Sequence, residues 1–130
     1  MKISLLILAA VVLIASGCTA PNTKNYSSFV SCLNTKPVEE YGAYWCPNCA
    51  RFRLSLGDAY ASFENYHECD PKCVGSPLPD FCKGHASETQ TCLALGIDKY
   101  PTFADKDNNI LYVGTDLQKV SDATGCPLSA

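Results

Sequence analysis

Positive charge is scarce in this 130-residue chain, and its scarcity excludes one large class of protein. Lysine and arginine together number 10 against 13 aspartate and glutamate residues, so the formal net charge at pH 7 is −3. A nucleic-acid-binding domain carries a basic patch or stripe that neutralises phosphates. The composition offers no such surface, so we expect no nucleic-acid partner.

The long apolar run at the start of the chain is too short to be a membrane-spanning helix. Residues 3–15 are apolar almost without a break after Met1 and Lys2, whereas a spanning helix needs about 20 such residues. A basic start, a short apolar stretch and small residues before a cut site are typical of a secretory signal. We therefore predict a signal peptide over residues 1–17.

Cys18 follows Ser16 and Gly17 and resembles the lipobox cysteine of prokaryotic lipoproteins. In those proteins this cysteine becomes the lipid-modified first residue of the mature chain. The resemblance implies lipidation of Cys18 and attachment to the membrane surface, in the periplasm or at the cell exterior. An uncleaved membrane anchor and plain secretion are the alternatives, and each of the three places the domain outside the cytoplasm.

The remaining chain divides into a tether and one domain. Residues 18–35 are polar and are predicted to be a tether, with the domain over residues 36–130. Packing is expected to begin at Phe29 and Val30, and Cys32 suggests that the domain proper starts near there. The residue patterns first predict a strand over 37–44, a helix over 47–63 that is weakened at Gly57, and a strand over 65–69. An insert over 72–84 follows, and then a helix opened by a capping box at 87–90. The chain ends with a hairpin over 102–113 and a last helix opened by a capping box at 115–118. This order predicts an α/β fold with a mixed central sheet flanked by helices.

A second Cys-x-x-Cys pair is missing, and a zinc ribbon would need two such pairs. Cys46 and Cys49 alone have this spacing, so we expect no metal site. The chain has nine cysteines, and eight remain without Cys18. An even number in a small exported domain indicates disulfides. The insert, bracketed by Cys73 and Cys82, has too few apolar residues to pack unaided and is expected to be braced by a disulfide of its own.

Two motifs in a fixed order resemble the thioredoxin fold. Residues 45–49 (WCPNC) open a helix after an apolar strand, and residues 100–102 (YPT) precede the hairpin. The likeness covers residues 38–124. In thioredoxin-like proteins the proline at the position of Pro101 is cis and lies against the Cys-x-x-Cys pair. The resemblance implies a thiol-disulfide oxidoreductase that needs no cofactor.

A closer resemblance is to the thioredoxin-like domain associated with bacterial homologues of vitamin K epoxide reductase. It rests on residues 41–47 (YGAYWCP), 68–71 (ECDP), Cys92, 96–97 (GI), 100–102 and 112–115 (YVGT). The resemblance implies that the domain exchanges electrons between a quinone-linked membrane enzyme and cysteine-containing exported proteins. This chain lacks the membrane bundle, carries Asn48 where histidine is frequent and Phe103 where tryptophan is frequent, and adds the insert.

The spacing of Cys46 and Cys49 suits disulfide exchange, which needs an attacking thiolate and a second thiol nearby. At a helix start, the first sulfur faces unpaired N–H groups that stabilise its thiolate. We therefore predict that Cys46 is the nucleophile and Cys49 the resolving thiol. Asn48 supplies a dipole where a histidine would supply charge, which predicts a less oxidising couple than a histidine variant would have.

Glu40 and Pro101 are two further candidates for roles beside the dithiol. Glu40 occupies the position where thioredoxin-like enzymes carry a buried carboxylate that accepts the proton of the resolving cysteine, and a solvated strand residue is the alternative. Because neighbouring strand residues point to opposite faces, Glu39 and Glu40 cannot both be buried on one side. Pro101, if cis, shapes the groove beside Cys46 and leaves the backbone of Tyr100 free to pair with an extended substrate. An ordinary trans turn proline is the alternative for Pro101.

The aromatic residues before the dithiol are expected to border it. We predict that Trp45, Tyr100 and Thr102 contact the substrate. The alternative is that Trp45 and Tyr44 are aromatic residues of the core. Nothing in the sequence places either histidine, His67 or His85, at the dithiol.

The six cysteines outside the dithiol admit many pairings by counting alone. A thioredoxin-like arrangement implies that Cys32 and Cys126 meet, and the resembling domain has a structural pair at Cys69 and Cys92. Cys73 and Cys82 are left to close the insert. A second redox relay through Cys69 and Cys92 is the alternative to a purely structural role.

The sequence therefore predicts a membrane-tethered, extracytoplasmic thiol-disulfide oxidoreductase of the thioredoxin fold. One alternative is an enzyme working in the opposite direction, a reductase or isomerase fed by another donor. The other is a structural or binding lipoprotein whose Cys46–Cys49 disulfide is inert.

Overall fold

A computed structural model describes residues 24–128 of the protein. The predicted signal peptide over 1–17, the lipidation site Cys18 and the first part of the tether lie outside the described residues. Within the described residues no helix is both long and apolar enough to cross a membrane.

The described chain alternates helices with short strands. In order, the elements are α1 (Ser27–Thr35), β1 (Glu39–Gly42), α2 (Pro47–Leu56), a 3-10 helix (Gly57–Ser62), β2 (Tyr66–Glu68), a second 3-10 helix (Asp80–Cys82), α3 (Thr89–Ala94), β3 (Thr102–Ala104), β4 (Ile110–Val113) and α4 (Leu117–Thr124).

The four strands form one mixed sheet with the order β2-β1-β3-β4. Strand β1 is parallel to β2 and antiparallel to β3, and β3 is antiparallel to β4. Successive strand residues point to opposite faces, so Phe103 joins a cluster with α1, α2 and α4 while Ala104 joins a second cluster with Tyr41 and the Cys69–Cys92 pair. This is the mixed sheet flanked by helices of a thioredoxin-like fold, as the sequence predicted.

The predicted boundary between tether and domain at residue 36 is wrong. Residues 27–35 form helix α1, in which Phe29, Val30 and Leu33 are buried in the largest core cluster. These three positions lie on one helical face, and their burial outweighs the polar residues that separate them. The folded domain therefore begins before residue 36, and part of the predicted tether belongs to its core.

The second helix is shorter than predicted and ends at Gly57. Gly57 has a φ of +59°, which a residue with a side chain adopts only with strain, and the chain continues as a 3-10 helix to Ser62. The two predicted capping boxes are also displaced. The residue that caps α3 is Glu88, without a side-chain bond, and α4 is capped by the Asp116 carboxylate, which accepts from the Gln118 and Lys119 amides.

Three disulfides brace the domain at its ends and around the insert. They join Cys32 to Cys126 and Cys69 to Cys92, the pairs that the resemblance implied, and Cys73 to Cys82, the pair expected to close the insert. The insert over residues 72–84 contains the last of these pairs and the short 3-10 helix, and its Phe81 side chain packs against Tyr44 with ring centroids 4.3 Å apart. The insert is therefore folded back toward the segment that leads into α2.

Candidate active site

Cys46 and Cys49 lie where strand β1 gives way to helix α2, and both are free thiols. Cys46 is the N-cap residue of α2, and its Sγ accepts a hydrogen bond of 3.2 Å from the Cys49 amide. Pro47 occupies the first helical position, where a missing N–H costs nothing because that group would have no partner inside the helix. The cap places the Cys46 sulfur in the field of the helix N-terminus, which favours a negative charge there.

The two thiols differ in accessibility. Cys46 keeps 5% of its surface exposed, whereas Cys49 is 0% exposed. Burial raises the pKa of the Cys49 thiol well above its usual range, and the hydrogen bond with Cys46 and the nearby Glu40 carboxylate raise it further. Cys46 can therefore meet a partner from solution, while Cys49 needs a base before it can react as a thiolate.

Glu40 is a buried carboxyl beside the dithiol. Its side chain is completely buried, Oε2 accepts a hydrogen bond of 2.8 Å from the Tyr60 hydroxyl, and Oε1 has no hydrogen-bond partner within residues 24–128. Burial raises the pKa of Glu40 to about 7, against the opposing effects of Tyr60 and Arg53. A carboxyl with such a pKa exchanges its proton near neutral pH, and Glu39 on the opposite face of the strand is not fully buried.

The Tyr100–Pro101 peptide bond is cis, as the thioredoxin-like resemblance implied. The Cys46 thiol donates to the Tyr100 carbonyl at 3.6 Å, so the segment before β3 lies against the reactive sulfur. Thr102 is only 3% exposed, and its hydroxyl donates to the Lys99 carbonyl at 2.6 Å. The Thr102 side chain therefore closes a turn, and the predicted substrate contact of Thr102 stays a prediction.

Trp45 is an exposed aromatic and not a core residue. It keeps 56% of its surface exposed, its ring meets that of Tyr100 edge to face at 6.1 Å, and its indole N–H donates to the Asp70 carboxylate at 2.6 Å. The hydrogen bond fixes the ring next to Cys46. Trp45 and Tyr100 thus form an apolar border around the reactive sulfur.

Two tyrosines and a second carboxyl lie behind the dithiol and were not predicted from the sequence. Tyr66 and Glu68 on β2, with Tyr60, line a cavity of about 220 Å³ that also touches the insert. The Tyr66 hydroxyl donates to Glu68 at 2.9 Å, and Glu68 is 1% exposed. Alternation along the predicted strand over residues 65–69 was the signal available for this pair, since it places residues 66 and 68 on one face.

His67 is not near the dithiol, in agreement with the sequence analysis. It lies on the other face of β2, where its ring stacks on Tyr41 at 4.6 Å and its two nitrogens contact the Glu39 and Glu88 carboxylates. Burial lowers the pKa of His67, but the two carboxylates outweigh it, so the net pKa is raised above the usual value.

The fold and the site together define a thioredoxin-like domain with a dithiol at a helix N-terminus, a cis-proline beside it and a buried carboxyl behind it. No known family model matches the chain. The chain is similar to thiol-disulfide oxidoreductase LTO1 of Arabidopsis thaliana, with 28% identity over 96 residues. The match covers 74% of this chain and 23% of that protein, so the chain spans about a quarter of its relative's length.

Proposed function

We propose that the protein is a thiol-disulfide oxidoreductase that exchanges disulfides with cysteine-containing exported proteins through Cys46 and Cys49. The observation that carries the proposal is the hydrogen bond from the Cys49 amide to Cys46 Sγ at 3.2 Å, at the start of helix α2. It stabilises the thiolate of the accessible cysteine next to a second thiol that can resolve a mixed disulfide. The name of the Arabidopsis relative supports the same reaction class.

Oxidation of a client dithiol begins with the Cys46–Cys49 disulfide. A client thiolate attacks Cys46 Sγ, forms a mixed disulfide and releases Cys49 as a thiolate, which takes up a proton. The second client thiolate then attacks the client sulfur of the mixed disulfide and releases Cys46. Two electrons and two protons pass from the client to the protein's dithiol, and the client gains a disulfide.

Glu40 handles the proton of Cys49 in this scheme. Its carboxyl is buried, it raises the pKa of Cys49 by its charge, and its own pKa is about 7. It can therefore donate a proton to the leaving Cys49 thiolate and take one from the Cys49 thiol in the reverse direction.

An extended client segment would bind along residues 100–102, beside Cys46. The exposed ring of Trp45 offers an apolar contact to an unfolded client. The Tyr100 carbonyl accepts from the Cys46 thiol in the reduced protein, and it would be free to pair with an added strand once Cys46 is in a disulfide. Trp45 and Tyr100 are thus proposed as substrate-binding residues through different groups, a side chain and a main chain.

The electron acceptor that restores the disulfide is proposed to be a membrane quinone-linked thiol oxidoreductase similar to vitamin K epoxide reductase. The resemblance of residues 41–47, 68–71 and 112–115 supports this partner. The signal-like residues 1–17 and Cys18 support an extracytoplasmic location, with the lipidated Cys18 holding the domain at the membrane surface. A reductase or isomerase fed by another donor would use the same dithiol in the opposite direction.

Mixed-disulfide trapping tests the proposal. Cys49→Ala leaves Cys46 without its resolving partner, so clients and the electron acceptor should accumulate as disulfide-linked complexes of the full chain. The matched control is Cys46→Ala, which removes the nucleophile and should trap nothing. Equal and negligible trapping by both variants, with a Cys46 that iodoacetamide does not alkylate after mild reduction, would identify an inert disulfide instead.

A further inference from the structure

Four side-chain positions on β1 and β2 share the face of the sheet that carries the dithiol. In the parallel register, Glu40 pairs with Tyr66 and Gly42 pairs with Glu68. Residues two apart on a strand point the same way, and so do paired residues on neighbouring strands. Glu40, Gly42, Tyr66 and Glu68 therefore form one patch.

Gly42 brings Tyr66 close to the resolving cysteine because it has no side chain. A Cβ placed on Gly42 would lie 3.0 Å from Cys49 Sγ, 2.9 Å from Tyr66 Cε2 and 3.3 Å from the Tyr66 hydroxyl oxygen. The Cys49 sulfur and the Tyr66 ring thus share the space above a single glycine. Tyr66 is accordingly the phenol that lies beside the Cys49 thiol.

Glu68 is held in position behind Tyr66. Its Oε2 accepts from the Tyr66 hydroxyl at 2.9 Å, and its Oε1 accepts from the Asp70 amide at 2.9 Å. With both oxygens bonded and 1% of its surface exposed, the carboxylate has a fixed orientation. A phenol that donates to a fixed carboxylate has oxygen lone pairs left to accept a proton from elsewhere.

The same two residues line the cavity of about 220 Å³ beneath the insert. A cavity of this size has room for several water molecules, and the polar groups of Tyr60, Tyr66 and Glu68 in its wall can hold them. The insert forms part of its wall through Phe81, Cys82 and Lys83, and His85 packs against the Tyr66 ring at 4.8 Å. The cavity therefore gives Glu68 a route for proton exchange that does not pass through the client-binding side.

We propose that Tyr66 and Glu68 are a second proton route for Cys49, in addition to Glu40, and that this route opens into the cavity beneath the insert. The proposal rests on the proposed function, because it concerns the step in which Cys49 reacts. It assigns a role to a carboxyl and a phenol that disulfide exchange through Cys46, Cys49 and Glu40 leaves unused.

The proton step balances without any change of oxidation state. The S–H bond of Cys49 breaks, its proton passes to the Tyr66 oxygen, and the Tyr66 proton passes to Glu68 Oε2. The electron pair stays on Cys49 Sγ, which then attacks Cys46 Sγ in the mixed disulfide and expels the client thiolate. In the oxidising direction each transfer runs backwards, and Glu68 recovers its proton from the cavity.

Other ionisable and charged groups face this pair and contribute to its pH dependence. Burial raises the pKa of Tyr66, and the charge of Glu68 raises it further, so the phenol passes a proton on without remaining ionised. The groups that face the pair from other elements are Glu40 on β1, Tyr44 in the loop after β1, Cys49 and Arg53 on α2, Tyr60 in the 3-10 helix, Lys83 and His85 from the insert side, and Tyr100 before β3.

The test uses the reduced full-length protein and Ellman's reagent in a stopped-flow instrument. The first thionitrobenzoate released reports attack by Cys46, and the second reports attack by Cys49 on the mixed disulfide. Tyr66→Phe keeps the ring over Gly42 and removes the hydroxyl. Glu68→Gln keeps an oxygen that can accept from Tyr66 and removes the carboxyl that takes up the proton. Tyr112→Phe, which removes a phenol elsewhere on the sheet, is the matched control.

In Tyr66→Phe and in Glu68→Gln we expect an unchanged first phase and a second phase slowed about tenfold. This is less than the full effect of losing general acid–base catalysis, because Glu40 remains as the other proton route. The pH profile of the second phase should also change, which a purely structural role would not produce. A wild-type second phase and pH profile in either folded variant would overturn the proposal. Absence of the first phase in the wild-type protein would instead contradict the proposed function.

Discussion

The Tyr60 hydroxyl donates a hydrogen bond of 2.8 Å to Oε2 of Glu40, while Oε1 of the same carboxyl has no hydrogen-bond partner within residues 24–128. Burial disfavours the charged form of Glu40, and this one hydrogen bond compensates only part of that cost. The pKa of Glu40 is therefore raised from 4.5 to about 7. This single relationship makes both the stability and the reactivity of the domain depend on pH near neutrality.

Glu40 should make the reduced protein less stable as the pH rises from 5 to 8. The folded state holds the Glu40 proton up to a pH of about 7, whereas the unfolded state releases it near 4.5. The stabilisation is therefore complete below pH 4.5 and is lost as the pH rises through 7, by an amount on the order of 3 kcal/mol. Urea unfolding at pH 5 and pH 8 measures this loss.

Glu40→Gln should remove that loss, because the amide does not titrate. Glu64→Gln is the control, since Glu64 is an exposed glutamate that follows the 3-10 helix carrying Tyr60. Tyr60→Phe lacks the hydrogen bond that favours the ionised carboxyl, so the folded-state pKa of Glu40 should rise further and the stability should go on falling to a higher pH than in the wild type. An unchanged pH dependence in Glu40→Gln would show that another group controls it.

His67 should stabilise the fold at slightly acid pH and less at alkaline pH. Its carboxylate partners Glu39 and Glu88 raise its pKa in the folded state, so its contribution is present below the usual value of 6.5 and is lost as the pH rises through the folded pKa. His67→Phe keeps an aromatic ring on Tyr41 and removes both ion pairs. The difference in unfolding free energy between wild type and variant should shrink from pH 5.5 to pH 9, and a constant difference would contradict the prediction.

Gly42→Ala should disturb the dithiol directly. The new Cβ would lie 2.9 Å from Tyr66 Cε2 and 3.0 Å from Cys49 Sγ, so both groups must move. Overpacking of this kind costs about 1–3 kcal/mol, and the second thionitrobenzoate release should slow. Gly57→Ala is the control, because it strains a positive φ in open space and should lower stability without changing either release phase.

Asn48→His should raise the reduction potential of the Cys46–Cys49 couple. Asn48 is exposed and its side-chain oxygen accepts from Arg51 at 3.2 Å, so a histidine can replace it without losing a buried contact. A protonated imidazole near the Cys46 thiolate stabilises the reduced form and makes the disulfide more oxidising. Equilibration with glutathione buffers measures the potential, and no upward shift would sink the prediction.

The sequence predicted the sheet and the dithiol because both have local signals. The spacing of Cys46 and Cys49 and the proline at 101 mark the site, and strand alternation separates Glu39 from Glu40. Helix α1 was missed because its three buried residues stand among polar ones. Whether such a helix packs depends on the distant partners that cover it, and the sequence pattern does not contain them.

The second carboxyl was missed for a related reason. Alternation places Tyr66 and Glu68 on one face, but their closeness to Cys49 depends on the register between β1 and β2 and on the missing side chain of Gly42. Register is a tertiary property, and a shift of one residue would send both side chains to the other face. The insert could be recognised from its cysteines, whereas its contact with the cavity could not.

The most direct test of whether Cys46 and Cys49 are a working redox couple maps which cysteines change oxidation state together. The purified protein is equilibrated over a range of glutathione ratios, alkylated and analysed peptide by peptide by mass spectrometry. Cys46 and Cys49 should become alkylated as a pair over one two-electron transition, while Cys32–Cys126, Cys69–Cys92 and Cys73–Cys82 stay closed. A Cys46–Cys49 pair that does not respond to the buffer, or that opens only together with the other disulfides, would contradict it.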